Sequence, residues 1–266
     1  MRKALSAVVI ALVLGWSGAV HAGDFRKGLE SYVAGDYVTA FREWRELAEQ
    51  GLPRAQAGLG SMYQAGQGVA QDYAEAAKWT RLAAEQGHIT AQAVVGAMYH
   101  EGQGVAQDYA EEVKWYRLAA EQGFAIAQYG LAVMYEIGQG VAQDYAEAVK
   151  WHRLAAKQGD VTAQARLGGI YHEGQGVAQD YAEAVKWLRL AAEQGDAGAQ
   201  VNLGVMYGQG RGVTQNFVSA HMWFNIAAAL GDPKGAEARD LAAKQMTPAD
   251  ISKAQKLARE WMEAHR

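Results

Sequence analysis

The sequence predicts an all-α solenoid built from tandem pairs of antiparallel helices. The string EGQGVAQDYAEAVKWLRLAAEQG lies at Glu173–Gly195, and near copies lie at Glu101–Gly123 and Ile137–Gly159. Tryptophan recurs every 36 residues from Trp79 to Trp223. A period of this length is typical of repeat architectures, in which each unit buries its apolar face against its neighbours.

Composition supports a folded chain and excludes several classes of function. Half of the 266 residues are hydrophobic, which is too many for a disordered chain. The formal net charge of −4 argues against a general affinity for nucleic acid or for an anionic membrane surface. The absence of cysteine excludes disulfides, thiolate metal sites and a cysteine nucleophile.

Residues 1–22 resemble a cleavable secretory signal. Arg2 and Lys3 precede an apolar run that reaches Leu14, and Val20-His21-Ala22 forms a small-x-small cleavage site before Gly23. The alternative is a retained membrane anchor, but the run is shorter than the roughly 20 apolar residues that span a bilayer. We therefore expect a periplasmic or secreted protein with no stable membrane insertion after cleavage.

The mature chain divides into a start, an array and an end. Residues 23–51 form a shortened half-repeat that is expected to cap the array, because an end unit faces water on one side. Five full units follow, at 52–87, 88–123, 124–159, 160–195 and 196–231, and residues 232–266 are expected to supply capping helices.

Each full unit is predicted to contain two helices, as residues 160–195 illustrate. Ala163, Leu167, Ile170 and Tyr171 share one face of the first helix, which should end at Gly174-Gln175-Gly176. Glycine ends helices because it adopts positive φ without a Cβ clash.

The second helix of that unit has a clear start and end. Asp180 is the expected N-cap, and Glu183 three residues later completes the pattern of a capping box. Tyr181 and Trp187 are expected to be core residues with the neighbouring alanines, and Gly195 takes the position after the helix.

The end of the chain follows a different pattern. Asp232-Pro233 should cap one helix that runs to about Gln245, and Thr247-Pro248 should cap another. The apolar residues of the last helix are Ile251, Leu257, Trp261 and Met262.

The repeat resembles that of the Sel-one-like repeat family, a relative of the tetratricopeptide repeats. The residues that match the family pattern are Ala163, Leu167, Gly168, Tyr171, Gly174, Gly176, Val177, Asp180, Tyr181, Ala184, Trp187, Ala191, Ala192 and Gly195. The third unit departs with Ala132 in place of the first-helix glycine. The resemblance implies a right-handed α/α superhelix that acts as an adaptor or scaffold in protein complexes. It also implies, for bacterial members, frequent export and envelope functions.

Motifs that carry chemistry have structural explanations here. The repeated Gly-x-Gly lacks the third glycine and the preceding strand of a dinucleotide site, so we interpret it as a turn. His100-Glu101 and His172-Glu173 are interpreted as solvated helix ends, because two units separate them. No H-E-x-x-H, G-x-S-x-G or S-x-x-K motif occurs, and we expect no catalytic residue, no metal and no cofactor.

The residues that vary between otherwise equal units predict a binding surface. On the first helices they recur at steps of four, three and four, which places them on one stripe. In a solenoid of helix pairs the first helices line the concave side, so the stripe should form a groove for a protein or peptide partner. The expected partner-binding residues are Thr90, Val94, Glu101, Ile126, Tyr129, Val133, Ile137, Arg166, Glu173, Asn202 and Gln209.

Two alternatives remain open at this point. The variation could be neutral change on a solvated face. The protein could also be an envelope enzyme or a glycan- or penicillin-binding protein, as the resemblance to a β-lactamase-associated branch of the family implies, although this chain lacks that branch's cysteines.

Overall fold

The computed structural model describes residues 22–265, with side chains from Phe25 onward. The expected signal segment lies outside this range except for Ala22, which begins the first helix. Within the described range the structure contains fourteen helices and no strand, as the sequence predicts. In chain order they are α1 Ala22–Val33, α2 Tyr37–Glu49, α3 Pro53–Ala65, α4 Tyr73–Glu85, α5 Ile89–Glu101, α6 Tyr109–Glu121, α7 Ala125–Ile137, α8 Tyr145–Lys157, α9 Val161–Glu173, α10 Tyr181–Glu193, α11 Ala197–Gln209, α12 Phe217–Ala229, α13 Pro233–Ala243 and α14 Pro248–Ala264.

The chain divides between Gln143 and Asp144 into two compact units. In the first unit, α1 to α7 pack as consecutive neighbours. In the second unit, α8 to α12 do the same, and both α13 and α14 pack against α12. None of the described helices combines the length and the apolar character needed to cross a membrane.

Helix starts follow the predicted caps, but the capping box is only half formed. The Asp72 carboxylate accepts hydrogen bonds from the backbone N–H groups of Ala74 and Glu75, at 2.9 and 3.1 Å. The backbone N–H of Asp72 donates to the Tyr63 carbonyl of the preceding helix, 3.0 Å away. That N–H group is therefore not available to Glu75, whose carboxylate instead accepts hydrogen bonds from Lys78 and from the indole N–H of Trp79.

The Gly-x-Gly segments are turns, and each turn also packs against the repeat before it. Gly102 ends α5 with φ of 67°, in the left-handed region. Gly104 has φ of 71°, and a Cβ there would lie 1.8 Å from the carbonyl oxygen of Tyr73 at the start of α4. Glycine is therefore required at this second position for two reasons: its positive φ and the close approach of the two repeats.

The core confirms most of the predicted apolar positions. Leu167 is fully buried, and Ile170 and Trp187 are 1% and 7% exposed. The tyrosine that follows the cap aspartate was wrongly predicted to be core: Tyr181 is half-buried, and Tyr73 and Tyr145 are 39% and 37% exposed. The reason is its place as the first residue of the helix, where its backbone carbonyl, and not its ring, receives the glycine turn of the next unit.

Buried glutamines on the first helices form a ladder of hydrogen bonds between successive repeats, which the sequence analysis did not identify. Gln164, which is 4% exposed, donates to the Ala156 carbonyl at 3.0 Å. Its own carbonyl oxygen accepts from Gln194 of the next second helix at 2.8 Å. The same arrangement links Gln92 and Gln122 in the first unit. The side-chain amides of Gln92 and Gln164 thereby both donate and accept a hydrogen bond, as buried polar groups require.

Candidate functional site

The residues of the predicted binding stripe lie on the first helices of both compact units, and none of them is fully buried. The first-unit stripe comprises Thr90, Val94 and Glu101 on α5 and Ile126, Tyr129, Val133 and Ile137 on α7. The second-unit stripe comprises Arg166 and Glu173 on α9 and Asn202 and Gln209 on α11.

The first-unit stripe is mainly apolar. Ile126 and Ile137 are 51% and 56% exposed, although isoleucine is usually among the most buried residues. Tyr129 and Val133, on the same helix, are half-buried. Val94 packs partly against the buried cluster of Ala76, Ala77 and Met98, so it supports the fold as well as the surface.

The second-unit stripe is polar and borders a cavity of about 230 Å3. Arg166, Glu173, Asn202 and Gln209 are all exposed. The cavity lies where α9 and α11 approach each other, and its lining residues are Gly168, Gly169, His172, Glu173, Leu188, Asn202, Val205 and Met206. Two of the predicted stripe residues, Glu173 and Asn202, therefore share one concave site.

Part of the variation on the stripe has a packing explanation that the sequence analysis missed. In most units the residue after the tryptophan fills a notch at a first-helix glycine, and in the second repeat this residue is Tyr116. A Cβ at Gly96 would lie 2.9 Å from the Tyr116 ring, and a Cβ at Gly130 would lie 3.0 Å from the same ring. Gly130 occupies a variable position, so the change there accommodates Tyr116.

His100 is not simply a solvated helix end, which corrects the sequence-based interpretation. Its Nδ1 lies 3.0 Å from Oε2 of Glu112, whose side chain is only 2% exposed. Glu112 stands where the other repeats carry alanine. Burial raises the pKa of Glu112, and the hydrogen bond from His100 partly offsets that rise.

The half-buried Tyr116 lies close enough to the buried Glu112 carboxylate to interact with it electrostatically. The pKa of the Tyr116 hydroxyl lies well above its ordinary value because of burial and the nearby Glu112 carboxylate. No group of three or more His, Asp or Glu side chains in the described part of the chain is placed to hold a metal ion.

A family model for the Sel1 repeat matches the chain at residues 53–88, 89–124, 125–160, 161–196 and 197–232. The chain belongs to the Sel1 repeat family. The matches are consecutive and cover most of the described residues, so the family assignment applies to the array as a whole.

A solved structure of a Sel1 repeat protein has a similar fold. A Sel1 repeat protein from Oxalobacter formigenes is 34% identical, with a TM-score of 0.77 over 90% of this chain and 97% of that one. The c5321 protein, a protective antigen of uropathogenic Escherichia coli with an SLR fold, is 25% identical, with a TM-score of 0.34 over 90% of this chain and 83% of that one. The curated proteins give no match.

Membership of the Sel1 repeat family sets the general role. Sel1 repeat proteins are helical scaffolds that typically mediate protein–protein interactions and generally carry no catalytic activity. Within this Sel1 repeat protein the repeats differ in their stripe residues and at the buried Glu112 and the half-buried Tyr116.

Proposed function

We propose that this Sel1 repeat protein is an exported scaffold that binds a protein or peptide of the cell envelope through the first-unit and second-unit stripes. The proposal depends on the exposure of Ile126 and Ile137, which are 51% and 56% exposed. They lie on a stripe whose residues differ between repeats, although the core residues of the repeats are nearly identical. Exposed apolar residues beside polar ones are characteristic of binding surfaces.

The second helices supply a contrast within the same molecule. Their exposed faces repeat the same local ion pairs, such as Lys78 with Glu75 and Lys114 with Glu111, both at 3.0 Å. Exposed pairs of this kind contribute little to stability, and they are the same from repeat to repeat. Discrimination among partners therefore rests with the first helices.

The two stripes offer different chemistry to the partner. The first-unit stripe presents apolar side chains on α7, and the second-unit stripe presents Arg166, Glu173, Asn202 and Gln209. The first-unit stripe therefore suits an apolar segment of a partner, and the second-unit stripe suits a polar or charged segment. Apolar contacts contribute mainly affinity, and polar contacts contribute mainly specificity.

Export is part of the proposal and rests on the N-terminal sequence. The basic residues Arg2 and Lys3, the following apolar run and the Val20-His21-Ala22 site together predict cleavage before Gly23. Sequencing the N-terminus of the protein recovered from periplasm or medium tests this part directly. A protein that retains Met1 in the membrane fraction would contradict it.

The partner-binding part is tested by cross-linking the tagged protein in its own cell envelope and identifying captured proteins by mass spectrometry. Ile137→Ser and Arg166→Ala should each reduce capture of the same partner, because they remove exposed groups from the two stripes. Leu82→Ser is the matched control, since Leu82 is 38% exposed on a second helix. Equal capture by all three variants, with unchanged circular dichroism, would remove the stripes from the proposal.

A further inference from the structure

The cavity in the second unit exists because one variable position carries no side chain. A Cβ at Gly169 would have no atom within 4 Å, whereas the equivalent positions in three other repeats carry Ala97, Val133 and Val205. The volume of about 230 Å3 exceeds what a single water requires, about 10–15 Å3. It is also below the roughly 300–1,000 Å3 of sites for drug-sized ligands. Its size therefore suits one side chain of a partner.

The inner end of the cavity is apolar. Leu188 and Met206 are 2% and 1% exposed, and Gly168 beside them is also buried. These residues offer no charge to an entering group, so methylene or methyl groups are the favoured contents of the inner end.

The outer end of the cavity is polar and anionic. Glu173 and Asn202 are both exposed, and His172 lies beside them with its ring 5.4 Å from that of Tyr181. The Glu173 carboxylate forms no ion pair with any residue in the described range. In contrast, the glutamates that start the second helices are paired with lysines. Glu173 is therefore available to a cation from outside.

We propose that this cavity receives a lysine or arginine side chain of the bound partner, an inference that rests on the proposed function and specifies its chemistry. Lysine and arginine bury their aliphatic stems along apolar surface while their charged heads remain at the rim. Leu188 and Met206 contact the stem, and Glu173 and the Asn202 side-chain oxygen receive the cation. The negative net charge of the chain favours the approach of such a basic segment.

The test uses small probes of defined chemistry on the 15N-labelled full protein. Nα-acetyl-lysine N-methylamide and the corresponding arginine compound should shift the amide signals of Gly168 and Gly169 in a saturable manner. The norleucine compound, which has the stem without the charge, should bind about two- to fivefold more weakly, the range of a partly exposed ion pair. Equal binding of norleucine and lysine would overturn the assignment of a basic side chain, and so would lysine-induced shifts that avoid both glycines.

Two variants and a matched control locate the effect. Gly169→Val fills the cavity with the side chain that two other repeats carry, and it should abolish the saturable shifts while the fold is retained. Glu173→Gln should weaken lysine binding to the norleucine level. Glu101→Gln alters the equivalent glutamate of the first unit, beside Ala97, and should leave lysine binding unchanged. A similar loss from Glu101→Gln and Glu173→Gln would show general attraction to acidic groups and would overturn the proposal.

Partner capture separates this inference from the proposed function. Capture that depends on Ile137 and Arg166 but is unchanged by Gly169→Val overturns the inference and leaves the scaffold function intact. Lysine binding at the cavity without capture by either stripe overturns the scaffold function and leaves the cavity assignment supported.

Discussion

Replacing Leu230 with glutamine should stabilise the last repeat, because it completes the glutamine ladder. Gln200 is fully buried and donates to the Ala192 carbonyl at 3.1 Å. Its side-chain oxygen is buried without a hydrogen-bond partner. In the preceding unit the equivalent oxygen of Gln164 accepts from Gln194 at 2.8 Å, and Leu230 stands at the position equivalent to Gln194.

The local backbone already suits the substitution. Leu230 has φ and ψ of −82° and 1°, close to the −89° and 6° of Gln194. Leu230 is 53% exposed, so the substitution removes little buried apolar surface.

The expected gain follows from two opposing terms. Satisfying a buried acceptor relieves a penalty of about 1–3 kcal/mol. Ordering a glutamine side chain costs up to about 1.5–2 kcal/mol. We expect Leu230→Gln to raise the free energy of unfolding by about 1 kcal/mol, which corresponds to a rise in melting temperature of about 2–4 °C for a chain of this size.

Urea denaturation followed by circular dichroism measures the total effect, and amide hydrogen exchange locates it. Protection should increase in α11 and α12 and not in α3 and α4, since repeat arrays are stabilised through nearest neighbours. Gln194→Leu is the reciprocal control and should destabilise the array by about 1–3 kcal/mol, because it removes the partner of the Gln164 oxygen. Unchanged denaturation midpoints for both variants would refute the ladder as a source of stability.

Three further predictions test the turn, the buried carboxyl and the core. Gly104→Ala should destabilise the protein by several kcal/mol more than Gly87→Ala. Both glycines have positive φ, which costs a residue with a Cβ about 1–2 kcal/mol, but only Gly104 also lies against a backbone carbonyl. Equal shifts in melting temperature for the two variants would contradict the docking of the turn. Because the pKa of Glu112 is raised in the folded state, its protonated form favours folding. The stability of the wild type relative to Glu112→Gln should therefore fall as pH increases above about 4. If the stabilities of the two proteins from urea denaturation changed in parallel across pH 4–7, the carboxyl would not be buried. Trp115→Ala should cost about 3–5 kcal/mol, because Trp115 is 4% exposed, and a loss below about 1 kcal/mol would exclude it from the core.

The fold was predictable because its signals are local and are copied five times. The cap aspartates, the glycines with positive φ and the alanine–leucine stripes each depend on residues within one helix or one turn. The partner of the Asp72 backbone N–H was not predictable, because the Tyr63 carbonyl approaches it only once the two helices pack.

The candidate site was predictable only as a set of exposed positions. Sequence variation located Ile126 and Ile137, which are exposed, but it could not separate binding from compensation. Gly130 varies because the Tyr116 ring lies against it, and this contact joins residues 14 positions apart in neighbouring units. The alanine-to-glutamate change at Glu112 was a signal that could have identified the hydrogen bond between the buried Glu112 and His100.

The glutamine ladder was missed for a different reason. Gln92 and Gln164 recur in every unit, but a polar residue at a fixed position is also compatible with a solvated face. Only their burial, at 4% exposure each, shows that the amide groups hold the units together.

Site-specific photo-cross-linking can show whether a partner contacts the stripes, since it reports contact residue by residue. A photoreactive amino acid would be placed at Ile126, Ile137 and Glu173 on the first helices, and at Leu118 and Leu190, which are 38% and 39% exposed on the second helices. We expect the stripe positions to form adducts with one and the same partner and the two leucine positions to form none. Adducts with that partner from Leu118 and Leu190, and none from the stripe positions, would contradict this expectation.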